Sequence, residues 1–252
     1  MNKYFVVSDV HSFYKEMMKA LEEVSFDINN PNHIFVSCGD LLDRGKSPVD
    51  CLKFVNEFPK ERKILVRGNH EDLLEECLAR HMFGWHDYHN GTAETIDLIA
   101  EYERKIKDED IGIFGLCKNS ELLNTYLDSL VDYGKVGNNI FVHGWLPWYR
   151  DGDNELKYNI ENSGNNGWSQ ARWENGMEQW NDYGYDPNYT VFCGHWHTSY
   201  GHSRLHKEGD EWGENAHFEP FIDKGIVALD ACTAYNGKVN CYVLEDEEEE
   251  QK

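Results

Sequence analysis

Five short apolar runs in this chain each end in a side chain that can hold a metal ion, most of them beside glycine. Ser8 is followed by Asp9-Val10-His11, Cys38 by Gly39-Asp40-Leu41-Leu42-Asp43-Arg44-Gly45, and Arg67 by Gly68-Asn69-His70-Glu71. Val142 is followed by His143-Gly144, and Cys193 by Gly194-His195-Trp196-His197. The donors are carboxylate, imidazole and amide oxygen, with no thiolate. That mixture suits Mn, Fe, Zn or a similar divalent ion and does not suit a structural cysteine-type zinc site. There are too many donors for one ion with an open position, so two adjacent ions are the natural reading. Two ions about 4 Å apart can share a carboxylate and a hydroxide, which provides both a nucleophile and a charge clamp for phosphoryl transfer.

These side chains need elements to bring them together. The chain begins β-α-β-α-β: Lys3–Ser8 reads as a strand, and Ser12 as the cap of a helix whose apolar positions are Phe13, Met17, Leu21 and Val24. His33–Ser37 is a second strand, Ser47-Pro48 opens a helix to about Phe58, and Lys63–Arg67 is a third strand. Alternation of this kind implies a mainly parallel sheet covered by helices. In such sheets, sites form beyond the carboxyl ends of strands, and glycine lets the backbone turn there. Helices are expected over 71–82, 92–107 and 120–131, the last capped by Ser120. Strands follow at Asn139–Val142, Tyr189–Cys193, Gly225–Leu229 and Val239–Leu244, with a long aromatic, Asn/Gly-rich stretch at 145–189. No repeat or linker interrupts the pattern. The expected organisation is one domain over 1–244, with a helical insertion at about 71–132, and an acidic, disordered tail at 245–252.

Taken together and in this order, DVH, GDLLDRG, RGNHE, VHG and GHWH resemble the calcineurin-like metallophosphoesterases. GDLLDRG with RGNHE is similar in particular to the serine/threonine phosphoprotein phosphatase branch, its bacterial and bacteriophage members, and the symmetrical diadenosine tetraphosphate hydrolases. Trp85–Thr95 faintly resembles their W…NGG..T stretch, and ALDA…NGKVNCYVLE their closing strand pair. The resemblance implies an α/β fold, a four-layer αββα sandwich of mixed sheets. It also implies roles. Asp9 and His11 would bind a first metal, Asp40 would bridge, and Asn69, His143 and His195 would bind a second. His197 matches the last histidine of the broad family's GHxH and would touch the first metal, although many phosphoprotein phosphatases lack it. His70 would protonate the leaving oxygen, oriented by Asp43. Arg44 and Arg67 would hold phosphate oxygens, with Arg172 a further candidate. The sequence departs from the usual pattern at Ser8 and Ser12, where glycines are usual, at Trp196, where threonine is common, and in a long Ser199–Phe218 stretch.

The chemistry so implied is hydrolysis of a phosphomonoester, with phosphoserine/phosphothreonine protein or a small phosphoester as substrate. A hydroxide shared by two divalent ions, manganese first and iron or zinc next, would attack phosphorus directly. Hydrolysis of a dinucleoside polyphosphate such as diadenosine tetraphosphate is the alternative, and a non-catalytic metal-binding scaffold is the rival from another class. Divalent metal lowers the pKa of bound water from 15.7 to about 7 in favourable cases, histidine can protonate an alkoxide near neutrality, and guanidinium forks match phosphate.

Composition narrows the partners. The 252 residues carry a formal net charge of −22, and the acidic terminal run accounts for only a small part of it. Such a chain lacks the basic surface that general nucleic-acid or anionic-membrane binding requires. No apolar run of about eighteen residues is present, which excludes a membrane-spanning helix. The opening MNKYFVVSDV lacks the regions of a secretion signal, and the seven cysteines are scattered, never in a CxxC arrangement. A cytoplasmic protein with reduced thiols is expected. His81, His86, His89, His202, His206 and His217 read as solvated or packing histidines. Trp145, Trp148, Trp168, Trp173 and Trp180 could equally line a substrate groove or pin down a long loop.

Overall fold

In the computed structural model, which describes residues 1–106, 111–152, 156–161 and 163–245, the strands form two five-stranded mixed sheets rather than one. The first contains β1 (Lys3–Val7), β2 (His33–Ser37), β3 (Lys63–Val66) and β4 (Leu130–Val131), with β12 (Cys241–Glu245) beyond β1. β1, β2, β3 and β4 run parallel, and β12 pairs antiparallel with β1. The second sheet has the order β10-β11-β9-β6-β5, from β5 (Gly134–Val136), β6 (Asn139–Phe141), β9 (Thr190–Cys193), β10 (Phe221–Asp223) and β11 (Ile226–Ala228). Its three central strands, β6, β9 and β11, are parallel. A separate hairpin joins β7 (Trp148–Arg150) to β8 (Leu156–Tyr158).

The central strands are continuous apolar runs because both faces are covered. Tyr4, Val6, Ile34, Val36 and Val66 of the first sheet pack against Phe141, Phe192, Val227 and Leu229 of the second. Phe141 and Phe192 meet at 5.1 Å between ring centroids, and each buried aromatic of this kind contributes on the order of 2 kcal/mol. On the outer face of the first sheet, Phe5, Val7 and Phe35 pack with α1 (Tyr14–Glu23), α2 (Pro48–Asn56) and α3 (Asn69–Arg80). α5 (Thr92–Ile106), α6 (Ile113–Lys118) and α7 (Glu121–Asp128) join the same cluster, after the short α4 (Trp85–Asn90). The outer face of the second sheet packs against α8 (Gly164–Ala171) and α9 (Gly176–Tyr183). Two helical turns complete the second half, α10 (Thr198–Tyr200) and α11 (Thr233–Asn236). The four-layer sandwich is therefore present. Among the described residues no helix is long and apolar enough to cross a membrane.

Several element readings need correction. Ser12 is not the cap of α1: it has φ +60°, its N–H donates to the Leu41 carbonyl at 2.8 Å, and Phe13 occupies the cap position. The loop after β1 is thus spent on docking to the loop after β2. Ser120 does cap α7, accepting from the Leu123 N–H at 3.2 Å. The expected helix over 120–131 ends at Asp128, because Leu130–Val131 pairs with β3 as an edge strand. The insertion also contains α4 and α6, and the 145–189 stretch folds into a hairpin and two helices. Glu245, placed in the tail by sequence, extends β12 and pairs with Lys3; residues 246–252 of the expected tail lie outside the described residues.

Candidate metal centre

The parallel strands of the two sheets end at one rim, and the residues that follow five of them supply the candidate donors. Asp9, Asp40 and Asn69 follow β1, β2 and β3, while His143 and His195 follow β6 and β9. The loops bond across the seam: the His195 N–H donates to Asp9 Oδ2 at 3.0 Å, and His143 Nδ1–H donates to the Cys38 carbonyl at 2.8 Å. Asp9, His11, Asp40, Asp43, Arg44 and His195 all have positive φ, between 50° and 73°. Such conformations cost on the order of 1 kcal/mol each for residues with a Cβ, and they aim these side chains at the rim. Gly39, with φ +87°, is required there, since a Cβ would lie 2.6 Å from His143 Nδ1 and 2.8 Å from Gly68 Cα.

Asp40 is shared by two clusters of donors. One ligand atom each from His11, Asp40 and His70 lie within 4.8 Å of one another, and so do atoms of Asp40, His143 and His195. Asp40 Oδ2 is 3.7 Å from His11 Nε2, and Oδ1 is 3.3 Å from His143 Nε2. His143 Nε2 also sits 2.8 Å from Asn69 Oδ1. His11 Nδ1 lies 3.0 Å from the Leu42 carbonyl, as His143 Nδ1 lies against Cys38. A backbone carbonyl at Nδ1 fixes the tautomer and leaves Nε2 to a ligand, the usual arrangement behind metal-binding imidazoles. Asp9 and His197 fall outside both clusters. Asp9 is held by the Ser8 hydroxyl at 2.5 Å and by His195 N–H, so the serine in place of the usual glycine orients a carboxylate. The His197 ring turns elsewhere, to Ser199 Oγ at 2.9 Å, Glu211 at 3.7 Å and the Trp212 ring at 4.4 Å.

Burial and mutual charge displace these donors in opposite directions. Burial pushes Asp9 up to about 6, opposed by His143 and reinforced by Asp40. Burial opposes protonation of His143, but the Asp40 and Asp9 carboxylates outweigh it and hold the ring up at about 10. Burial and the neighbouring His143 push His195 down to about 3, and burial with His70 and Arg44 holds His11 well below the histidine range. Buried carboxylates and imidazoles facing one centre form a donor set that fits divalent ions.

Beside this cluster, His70 Nδ1 donates to Asp43 Oδ2 at 2.8 Å, and the Thr92 hydroxyl donates to the same oxygen at 2.6 Å. Arg44 Nη2 lies 3.2 Å from His70 Nε2. Arg67 and Arg172 are not with Arg44. They line a cleft of about 940 Å³ with Asp72 and Asp132. Arg67 pairs with Asp72 and Glu75, and Arg172 with Asp72 at 3.5 Å and Asp132 at 3.1 Å.

Sequence reasoning assigned no role to three buried residues here. Glu71 accepts from the N–H groups of Asp40, Leu41 and Gly68 at 2.8–3.1 Å and from Tyr126 Oη at 2.8 Å. Asp230 follows β11 as the other donors follow their strands, and burial with the nearby Asp9 charge raises its pKa well above the carboxylate range. Thr92 lies inside the Trp85–Thr95 stretch that resembles the family's, but nothing in that stretch marked its contact with Asp43. The strand-end pattern that marked the other donors marks Asp230 too.

A family model described as calcineurin-like phosphoesterase matches residues 3–199. Serine/threonine-protein phosphatase 1 of Salmonella typhimurium is 39% identical over 75 residues, 30% of this chain and 32% of that protein. A symmetrical bis(5'-nucleosyl)-tetraphosphatase of Buchnera aphidicola is 38% identical over 71 residues, 28% of this chain and 24% of that protein. The asymmetrical bis(5'-nucleosyl)-tetraphosphatase PrpE of Bacillus subtilis is 26% identical over 134 residues, 48% of this chain and 55% of that protein. These matches span less than two thirds of each relative. A solved putative diadenosine tetraphosphatase shares the fold, with a TM-score of 0.54 and 16% identity over 96% of this chain and 89% of that one. On the family match and on the fold that accompanies it, the chain belongs to the calcineurin-like phosphoesterases.

Proposed function

We propose that the chain is a divalent-metal-dependent phosphomonoesterase acting on phosphoserine/phosphothreonine protein or a small phosphoester. The observation that carries this reading is Asp40 shared between two buried donor clusters, with the His70–Asp43 pair and Arg44 alongside. Asp9, His11 and Asp40 would hold one ion, and Asp40, Asn69, His143 and His195 the other; His197, engaged by Glu211 and Trp212, is not in this set. Bound there, two divalent ions, manganese in the first instance, supply a water-derived nucleophile at neutral pH and positive charge for phosphoryl oxygens. Arg44 offers a guanidinium fork to a phosphate oxygen beside the acid. His70 gives its Nε2 proton to the leaving oxygen while Asp43, steadied by Thr92, holds Nδ1–H and the ring's orientation. Arg67 and Arg172 can meet phosphate only by exchanging their carboxylate partners.

One observation favours a second reading, hydrolysis of dinucleoside polyphosphates. Trp173 packs on the His195 ring at 5.8 Å while 52% exposed, and Trp196 next to it is 38% exposed. Exposed indole faces at the rim of such a site can stack nucleobases. The two readings share the metal core and differ in the walls.

The test compares a phosphopeptide, diadenosine tetraphosphate, a phosphodiester and p-nitrophenyl phosphate with added Mn2+. Preference for phosphomonoesters supports the first reading, and preference for diadenosine tetraphosphate the second. Inertness on all four with metal bound would overturn both. Asp40→Asn should lower bound metal and rate together in elemental analysis, and retention of two equivalents would contradict its shared role.

A further inference from the structure

The Ser199–Phe218 stretch carries a second donor cluster that this phosphate chemistry leaves unused. One ligand atom each from His202, His206 and Glu208 lie within 4.8 Å of one another. The backbone brings them together. His202 and His206 stand four residues apart on a π-helical turn, Gly201–His206. Lys207 then adopts φ +62°, and the Glu208 N–H returns to the His202 carbonyl at 2.9 Å, folding the glutamate back over the histidine.

The tautomers follow from the hydrogen bonds. His202 Nε2 lies 3.1 Å from the Glu219 carbonyl, which can only accept, so Nε2 carries the proton. In the neutral ring Nδ1 is then a bare lone pair, and it is buried with no hydrogen-bond partner among the described residues. Its neighbour is Glu208 Oε2 at 4.0 Å, too far for a hydrogen bond. Tetrahedral ligand bonds of about 2.1 Å set two donors roughly 3.4 Å apart, so closing this gap by about half an ångström would seat an ion between them. His206 Nε2 meets Asp223 Oδ2 at 3.0 Å, the carboxylate–imidazole pairing found behind zinc-binding histidines. A buried imidazole lone pair facing a carboxylate is costly unless something positive lies between them.

We propose that His202, His206 and Glu208 form a separate binding site for one divalent ion of the zinc class. Two imidazoles and one carboxylate suit zinc better than magnesium or calcium, which take mostly oxygen. Three protein ligands leave a fourth position to water or to His217, whose ring centroid is 6.0 Å from that of His202. The ion would fasten the stretch whose Trp212 packs on His197, beside the candidate metal centre.

The test strips wild type, His206→Ala and Glu208→Gln with chelator, reloads each with Zn2+ alone, and counts metal by plasma mass spectrometry. The two variants should hold one equivalent fewer than wild type, while Asp40→Asn keeps that equivalent. The count is a difference, so its outcome does not depend on whether the phosphatase reading holds. p-Nitrophenyl phosphate hydrolysis with Mn2+ should be unchanged in both variants. Equal zinc content in wild type and the variants overturns the site. Where His206→Ala fails to fold by circular dichroism, Glu208→Gln decides, because its side chain is exposed. Chelator competition should then show at least a tenfold weaker zinc affinity, and an unchanged affinity overturns the proposal.

Discussion

His70 is placed between an acceptor that orients it and a cation that would share its substrate. Asp43 takes its Nδ1–H, and Arg44 stands 3.2 Å from Nε2. Burial and the Arg44 charge oppose its protonation, yet the Asp40 and Asp43 carboxylates raise its pKa above the usual histidine value. His70→Asn should lower kcat on p-nitrophenyl phosphate by about 10²–10⁴-fold while metal content stays at the wild-type level. Loss of metal along with rate would instead make His70 a ligand, as its place near His11 and Asp40 allows. The donors were legible in the sequence for one physical reason: each follows a buried parallel strand, and strand ends converge. Pairing of the arginines was not legible. The motif positions of Arg67 and Arg172 say nothing of Asp72, Glu75 and Asp132, which reach them only through packing.

The start of α3 is bound to the loop after β2 through Glu71, whose carboxylate collects three backbone N–H groups and the Tyr126 hydroxyl from α7. Tyr126→Phe removes one charge-assisted bond inside the protein and should cost about 1.5–3 kcal/mol, or roughly 3–10 °C in Tm by calorimetry. β2 offers a pH-dependent contact. His33 accepts the Asp27 N–H at 2.9 Å and packs on Phe5, and burial with Lys3 and Arg62 lowers its pKa despite Asp27. The unfolded chain therefore binds this proton more readily than the folded one. The stability from neutral His33 is full above about pH 6.5 and is lost as pH falls through that value towards the lower folded pKa. His33→Phe should melt below wild type at pH 7.5, and the gap should narrow by pH 5.5. Strongly apolar strands and the capped α7 were readable from sequence. β4, β5 and β10 were not, being two- or three-residue strands whose pairing is set by neighbours rather than by their own pattern.

Across the whole molecule the seven cysteines are free, five of them buried. Burial raises every one, with Cys77 and Cys232 at about 11 and Cys117 and Cys241 at about 12. A thiol reagent such as DTNB at pH 7.5 should react slowly with the native protein and reach seven equivalents only in denaturant. Rapid titration of several thiols would contradict this packing. The seam between the sheets has a larger consequence. Asp9, Asp40 and Asn69 follow strands of one sheet and His143 and His195 strands of the other, so with the proposed ligand set neither half of the molecule would own a complete coordination sphere. Prying the halves apart would forfeit the ions at once. Resistance to heat would then be governed by the surrounding supply of cations as much as by the apolar interior, gaining about 2.7 kcal/mol once free ion exceeds its dissociation constant a hundredfold.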